Sequence, residues 1–122
     1  AYANNLLVAA TRQGIRTYRL VDMDKELVRF EPLGQLRVSP LQRLAGFYPR
    51  QVMLHGDFAY VLNFETGIGG GMLAFDIRRP ERPRQVGHYA MPKERFLAMA
   101  PLPGGKVLLG GNSLHIINPP KR

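Results

Sequence analysis

The sequence contains no cysteine and no tryptophan among its 122 residues. The lack of cysteine excludes a disulfide scaffold, a thiolate zinc site and catalysis by a thiolate nucleophile. Apolar runs are short, and none approaches the roughly 20 residues that a membrane-spanning helix needs. We therefore predict no transmembrane segment. The length suits one domain, and a hydrophobic content of 45% is enough to fill its core.

Acidic residues are also scarce, since 9 Asp and Glu stand against 17 Lys and Arg, for a formal net charge of +8. Arginine supplies 13 of the 17 cations, and its planar guanidinium favours bidentate contacts with carboxylates and phosphates. This balance favours an acidic protein or a polyanion as the partner, with a merely solvated basic surface as the alternative. Nucleic acid is not expected, because the aromatic residues nearest the arginines, Phe75 and Tyr89, suit a core better than a stacking platform.

Short apolar segments separated by Gly, Pro and Asn fill the chain, a pattern typical of an all-β fold. The predicted strands cover residues 6–10, 15–21, 51–55, 58–62, 72–77, 84–89, 96–100, 106–109 and 114–117. Gly56-Asp57 and Asn112-Ser113 suit tight hairpins. Only residues 40–48 have helical spacing, and we expect at most a short helical turn there.

The strands repeat along the chain, because residues 14–20, 71–77 and 113–119 align and each follows an apolar strand. The last two lie about 42 residues apart, within the usual range for propeller blades, and the longer first spacing predicts an insertion at residues 32–50. We predict about two and a half four-stranded antiparallel blades, with parts at residues 1–38, 50–90 and 94–122. A closed propeller needs four to eight blades, so we expect a piece of a larger propeller, or one completed by other chains.

Residues 58–89 also carry a motif: an apolar strand, a Gly-rich link, a second strand ending at Asp76, the paired prolines Pro80 and Pro83, and Val86-Gly87. This order resembles an LVIVD-type β-propeller repeat. The resemblance implies the propeller fold and says almost nothing about chemistry. With the lack of cysteine, it indicates a periplasmic or extracellular bacterial location, the cytoplasm being the alternative.

Two groups of arginines are the candidate partner-binding residues. One loop holds four of them, stiffened by Pro80 and Pro83 and opposed only by Glu81. The insertion holds three more, with no acidic residue between positions 32 and 56. The candidate partner-binding residues are Arg78, Arg79, Arg82, Arg84, Arg37, Arg43 and Arg50.

The Gly-rich loop at residues 67–71 lacks the features of a phosphate cradle, because neither Lys-Ser/Thr nor a helix follows it. We expect a hairpin loop whose residues can reach a ligand at the central face of a propeller. The candidate residues of this ligand-face loop are Glu65, Thr66, Gly69 and Gly70.

Catalytic and metal-binding patterns are not evident. The three histidines His55, His88 and His115 stand on different predicted strands without a metal-ligand spacing, so we predict no metal and no cofactor. Asp76 suits a general base less well than a cap, which accepts backbone N–H groups of the following turn.

Three functions remain open. The first is a non-enzymatic propeller segment that binds proteins through its basic surface. The second is a fragment of a propeller enzyme whose active site lies in the central channel, and the third is a polyanion-binding module. Steep salt dependence of binding would favour the third.

Overall fold

The computed structural model describes residues 1–24, 27–38, 48–63, 71–89, 96–111 and 113–120. Strands account for 68% of these residues. Within the same ranges there is no α-helix, and the single helical element is a 3-10 turn at Pro103–Gly105. The predicted all-β class is therefore confirmed.

Eleven strands lie within the described residues, and they form three antiparallel sheets. In each sheet, neighbours in the chain are neighbours in space. The first sheet contains β1 (Tyr2–Ala3), β2 (Leu6–Thr11), β3 (Gly14–Met23) and β4 (Val28–Arg37). The second contains β5 (Pro49–His55), β6 (Phe58–Asn63), β7 (Gly71–Asp76) and β8 (Arg84–Tyr89). The third contains β9 (Ala98–Pro101), β10 (Val107–Gly110) and β11 (Leu114–Ile117).

Turn chemistry sets the hairpins. Gly56 and Asp57 join β5 to β6, with φ 62° at Gly56, and a glycine with positive φ at the first central position suits a type II′ turn. Asn4 and Asn5 join β1 to β2 with φ 52° and 65°, which suits the type I′ turn that asparagine tolerates. The Gly56-Asp57 hairpin was predicted. Asn112, the first residue of the other predicted hairpin, lies outside the described ranges.

The second sheet lies between the other two and is buried on both faces. Every residue of β6 and β7 is buried. One face packs on the first sheet through Ala59, Val61, Leu73 and Phe75. The opposite face packs on the third sheet through Phe58, Tyr60, Leu62, Met72 and Ala74. Alternation of side chains along each strand produces this division, because successive residues point to opposite faces.

Hydrogen bonds also tie the first strands of the second and third sheets together. The side-chain amide of Gln51 in β5 donates to the Met99 carbonyl oxygen at 3.1 Å and accepts from the Met99 backbone nitrogen at 3.2 Å. Nε2 of His55 lies 3.0 Å from the carbonyl oxygen of Leu102. The second and third sheets are thus held together by specific polar contacts as well as by apolar packing.

The three aligned segments, residues 14–20, 71–77 and 113–119, contribute β3, β7 and β11, the third strand of each sheet. The region expected as an insertion, residues 32–50, contains strand residues at both ends, because β4 continues to Arg37 and β5 starts at Pro49. The possible helical turn at residues 40–48 falls on residues 40–47, outside the described part of the chain.

Candidate functional site

The turn between β7 and β8, residues 77–83, is held by the buried carboxylate of Asp76 at the end of β7. Its Oδ1 accepts the backbone N–H of Arg78 at 3.0 Å, and its Oδ2 accepts from Nη2 of the same residue at 2.7 Å. Nη2 of Arg84, the first residue of β8, lies 3.6 Å from Oδ2. One carboxylate therefore joins both ends of the turn, and the capping role predicted for Asp76 is confirmed.

This arrangement shifts the acidity of Asp76. The hydrogen bond from the Arg78 side chain is the largest cause that holds the pKa of Asp76 below its ordinary value of 3.8. Burial alone would raise this pKa, but its effect is outweighed. The Arg78 backbone N–H and the charges of Arg78 and Arg84 lower the pKa further, each by a smaller amount than the side-chain hydrogen bond. Asp76 therefore keeps its negative charge to a lower pH than a free aspartate does.

The same turn surrounds a groove of about 590 Å³, which we call the arginine groove. Its lining residues are Asp76, Arg78, Arg79, Arg82 and Arg84. Four arginines thus line a groove that holds one carboxylate, and two of them, Arg78 and Arg84, approach it. Arg79 and Arg82 are exposed and form no ion pair with any described residue. The groove therefore presents uncompensated positive charge.

The backbone of this turn is braced from the other side by the first sheet. The hydroxyl of Thr17, a fully buried residue of β3, donates to the carbonyl oxygen of Pro80 at 2.5 Å. The backbone of Gly34 in β4 lies so close that a Cβ there would stand 2.6 Å from the Glu81 carbonyl oxygen. Within the turn, the Arg82 N–H donates to the Arg79 carbonyl oxygen at 2.8 Å. The backbone that carries the arginines is therefore held in place by the first sheet, and this lowers the entropy that the turn loses when a partner binds.

We expect the stability of the fold to depend on pH through Asp76. Its pKa is lower in the folded chain than in the unfolded one, so its contribution is present above about pH 4 and is lost as the pH falls through the folded pKa. Asp76→Asn should lower the free energy of unfolding near neutral pH, and the gap from wild type should narrow as the pH falls. Urea denaturation at several pH values measures this gap. Asp22→Asn, at an exposed position of β3, serves as the control, and an equal pH-dependent gap in that variant would contradict the assignment to Asp76.

The arginines predicted for the insertion do not join this site. Arg37 is exposed at the end of β4 and Arg50 is exposed in β5, and neither lines the arginine groove. Arg43 lies outside the described residues. The candidate ligand-face residues Glu65, Thr66, Gly69 and Gly70 also lie outside them.

The histidines occupy separate places. His55 contacts Leu102, as described above, whereas His115 lies 3.3 Å from the Tyr89 hydroxyl and 2.9 Å from the Ser113 hydroxyl. His88 is exposed in β8. Across the described ranges, no three His, Asp or Glu side chains come together in a way that could hold a metal ion.

Sequence reasoning missed the supports of the site, Thr17 and Gly34. Thr17 is a polar residue on the inward face of β3, between Ile15 and Arg19. This position was the only feature of the sequence that could have indicated its role. Its partner, Pro80, is 63 residues further along the chain. Such a contact follows from the packing of two sheets and leaves no mark in local sequence.

Comparison of the sequence with family models and with curated proteins gave no match, and comparison of the structure with solved structures gave none. The resemblance to LVIVD-type repeats therefore stays a prediction. In the part of the chain that the structure describes, no helix has the length and apolar character needed to cross a membrane.

Proposed function

We propose that this chain is a non-enzymatic binding segment of β-propeller type, and that its arginine groove contacts an acidic protein surface. The observation that carries the proposal is the groove itself, where four arginines surround one engaged carboxylate on a braced turn. Three successive antiparallel meanders packed face to face support the propeller arrangement. In this arrangement the groove lies between the last two strands of the second blade.

An acidic protein is the partner that the groove geometry favours. Arg78 is already oriented by its hydrogen bonds to Asp76, and Arg79 and Arg82 line the same groove without an ion pair to any described residue. Guanidinium groups bind carboxylates in a planar, bidentate manner. Contacts to charged groups at a partly desolvated interface contribute about 1.5–3 kcal/mol each, whereas fully exposed pairs contribute about 0–1 kcal/mol.

The test is binding of a fluorescently labelled peptide rich in Asp and Glu, measured by anisotropy with wild type and with Arg79→Ala/Arg82→Ala. This double variant keeps the Asp76–Arg78 pair, so the turn should stay folded. We expect its affinity for the peptide to fall at least about tenfold, a change of about 1.4 kcal/mol. The thermal midpoint should move little, because neither guanidinium forms an ion pair with a described residue.

A charge-matched control separates the groove from general basicity. Arg16→Ala/Arg29→Ala removes two exposed cations of the first sheet and leaves the groove intact. Equal weakening by both double variants would show that net charge, not the groove, attracts the peptide. Tighter binding of heparin than of the peptide, with the same loss in the groove variant, would favour the polyanion-binding function instead.

A further inference from the structure

One apolar face of the third sheet is exposed, with no other sheet of the described residues packed on it. We call the face of each sheet that points toward the next sheet in chain order its forward face, and the opposite face its rear face. Leu114 and Ile116 in β11 are 75% and 64% exposed. Their neighbours along the strand, His115 and Ile117, turn the other way, because His115 contacts Phe96 and Ile117 packs on the core shared with the second sheet. Leu114 and Ile116 therefore lie on the forward face.

The same positions are buried in the first two sheets. The repeat alignment places Leu114 at the position of Met72 and Ile15, and Ile116 at the position of Ala74 and Thr17. The exposed fractions in the first two sheets are 2% at Met72, 1% at Ile15, 4% at Ala74 and 0% at Thr17. Each is covered by the sheet that follows. The third sheet thus presents a packing face of the same kind, on which no sheet of the described residues packs.

Strand pairing confirms that these positions are equivalent. The forward-face pairs of the second sheet are Leu62–Met72 and Tyr60–Ala74. The corresponding pairs of the third sheet are Gly110–Leu114 and Leu108–Ile116. Val107 and Leu109 alternate with Leu108 and Gly110 and pack in the core behind them. Across β9, β10 and β11, the forward-facing residues are uncharged: Ala98, Ala100, Leu108, Gly110, Leu114 and Ile116.

The rear face of the first sheet has the character of a face that could pack on this surface. The second sheet covers the first with the pairs Ala59–Phe75 and Val61–Leu73. The equivalent pairs on the rear of the first sheet are Leu7–Tyr18 and Ala9–Arg16. Leu7, Ala9 and Tyr18 are each partly exposed there, with no sheet of the described chain behind them.

The polar residue on this rear face has a precedent in the third sheet. Arg16 occupies the position of His115, which lies within a packed interface and meets the hydroxyl of Tyr89 from the preceding sheet. His115 thus shows that a polar side chain at this position can be accommodated between two packed sheets.

We propose that the forward face of the third sheet binds the rear face of the first sheet of a second copy of this chain. The contact continues the packing already present twice within the chain. A head-to-tail contact of this kind closes into a ring when the rotation per subunit permits, and two copies supply six sheets, within the four to eight of closed propellers. The inference rests on the propeller arrangement of the proposed function, but not on its arginine groove.

The oligomeric state tests this directly. Light scattering after gel filtration of the full chain should give twice the 13.7 kDa of one copy at high concentration. Leu114→Glu/Ile116→Glu should return the mass to that of one copy. Leu27→Glu/Val28→Glu is the matched control, because these residues of the β3–β4 hairpin region are similarly exposed, at 60% and 51%, and should leave the dimer intact. A chain that keeps the mass of one copy at all concentrations would overturn the proposal.

Disulfide cross-linking tests the relative orientation of the two copies. Because the sequence contains no cysteine, only the introduced cysteines can react. Ile116→Cys mixed with a mass-tagged Leu7→Cys chain should give the mixed disulfide dimer under mild oxidation, and Ile116→Cys alone should not. Rapid self-linking of Ile116→Cys would show two forward faces in contact and would overturn the head-to-tail arrangement. The acidic-peptide assay on Leu114→Glu/Ile116→Glu separates the two proposals, because the groove should bind normally in this variant even if no dimer forms.

Discussion

Phe75→Ala is expected to lower the free energy of unfolding by about 3–5 kcal/mol, the usual cost of truncating a buried phenylalanine. Phe75 is fully buried in β7, at the interface of the first and second sheets. Little relaxation can fill the resulting cavity, because the opposite face of the same strand is held by the third sheet through Met72 and Ala74. Such a loss is a large part of the 5–15 kcal/mol by which most domains are stable.

Urea denaturation followed by circular dichroism measures this effect. Val21→Ala provides the control, since Val21 is an apolar residue of β3 that is 45% exposed, and its truncation should change the free energy of unfolding by no more than about 0.5 kcal/mol. Equal losses in the two variants would mean that the second sheet is not packed on both faces.

Gly34→Ala is expected to destabilise the chain by about 3 kcal/mol, at the upper end of the range for overpacking. An added Cβ would meet the carbonyl oxygens of Glu81 at 2.6 Å and of Pro80 at 2.8 Å. Both atoms belong to backbone, so neither can rotate away. The turn that carries the arginine groove must move from the first sheet, and the affinity for the acidic peptide should fall with the stability.

Gly87→Ala is the matched control for this prediction. The added Cβ there would stand 3.5 Å from the Cβ of Ala74, an ordinary van der Waals distance. Thermal denaturation of the two variants distinguishes a close backbone approach from the general effect of replacing a strand glycine. Similar midpoints for Gly34→Ala and Gly87→Ala would show that the turn does not rest on β4.

The sequence predicted most strands because their side chains alternate or form short apolar runs bounded by turn residues. The strand β4 was missed, since Pro32 and Gly34 interrupt its pattern and indicate a loop. Its pairing with β3 is irregular, with register shifts near Thr17 and Leu20. What holds β4 is a continuous neighbour, β3, together with contacts of Leu36 with the core. These are tertiary effects that override weak local preference.

The candidate site was predicted in part. The four arginines of the loop were identified by their density in sequence, and Asp76 by its place at the end of a strand. Which of these arginines contact Asp76 was not predictable from the sequence. Arg78 and Arg84 approach Asp76, whereas Arg79 and Arg82 do not, and this depends on how the turn folds back over residues 77–83. The bracing of the turn by Thr17 and Gly34 depends on the packing of two sheets.

The strictly sequential order of the strands has a consequence for biosynthesis. Within the described residues, strands pair only with neighbours in the chain, so each sheet can assemble once its own residues have left the ribosome. The second sheet, however, is complete before the strands that cover one of its faces. Until β9 and β10 have been synthesised, the row that contains Tyr60, Leu62 and Met72 faces water. During that interval the nascent chain exposes the apolar surface that a chaperone would recognise.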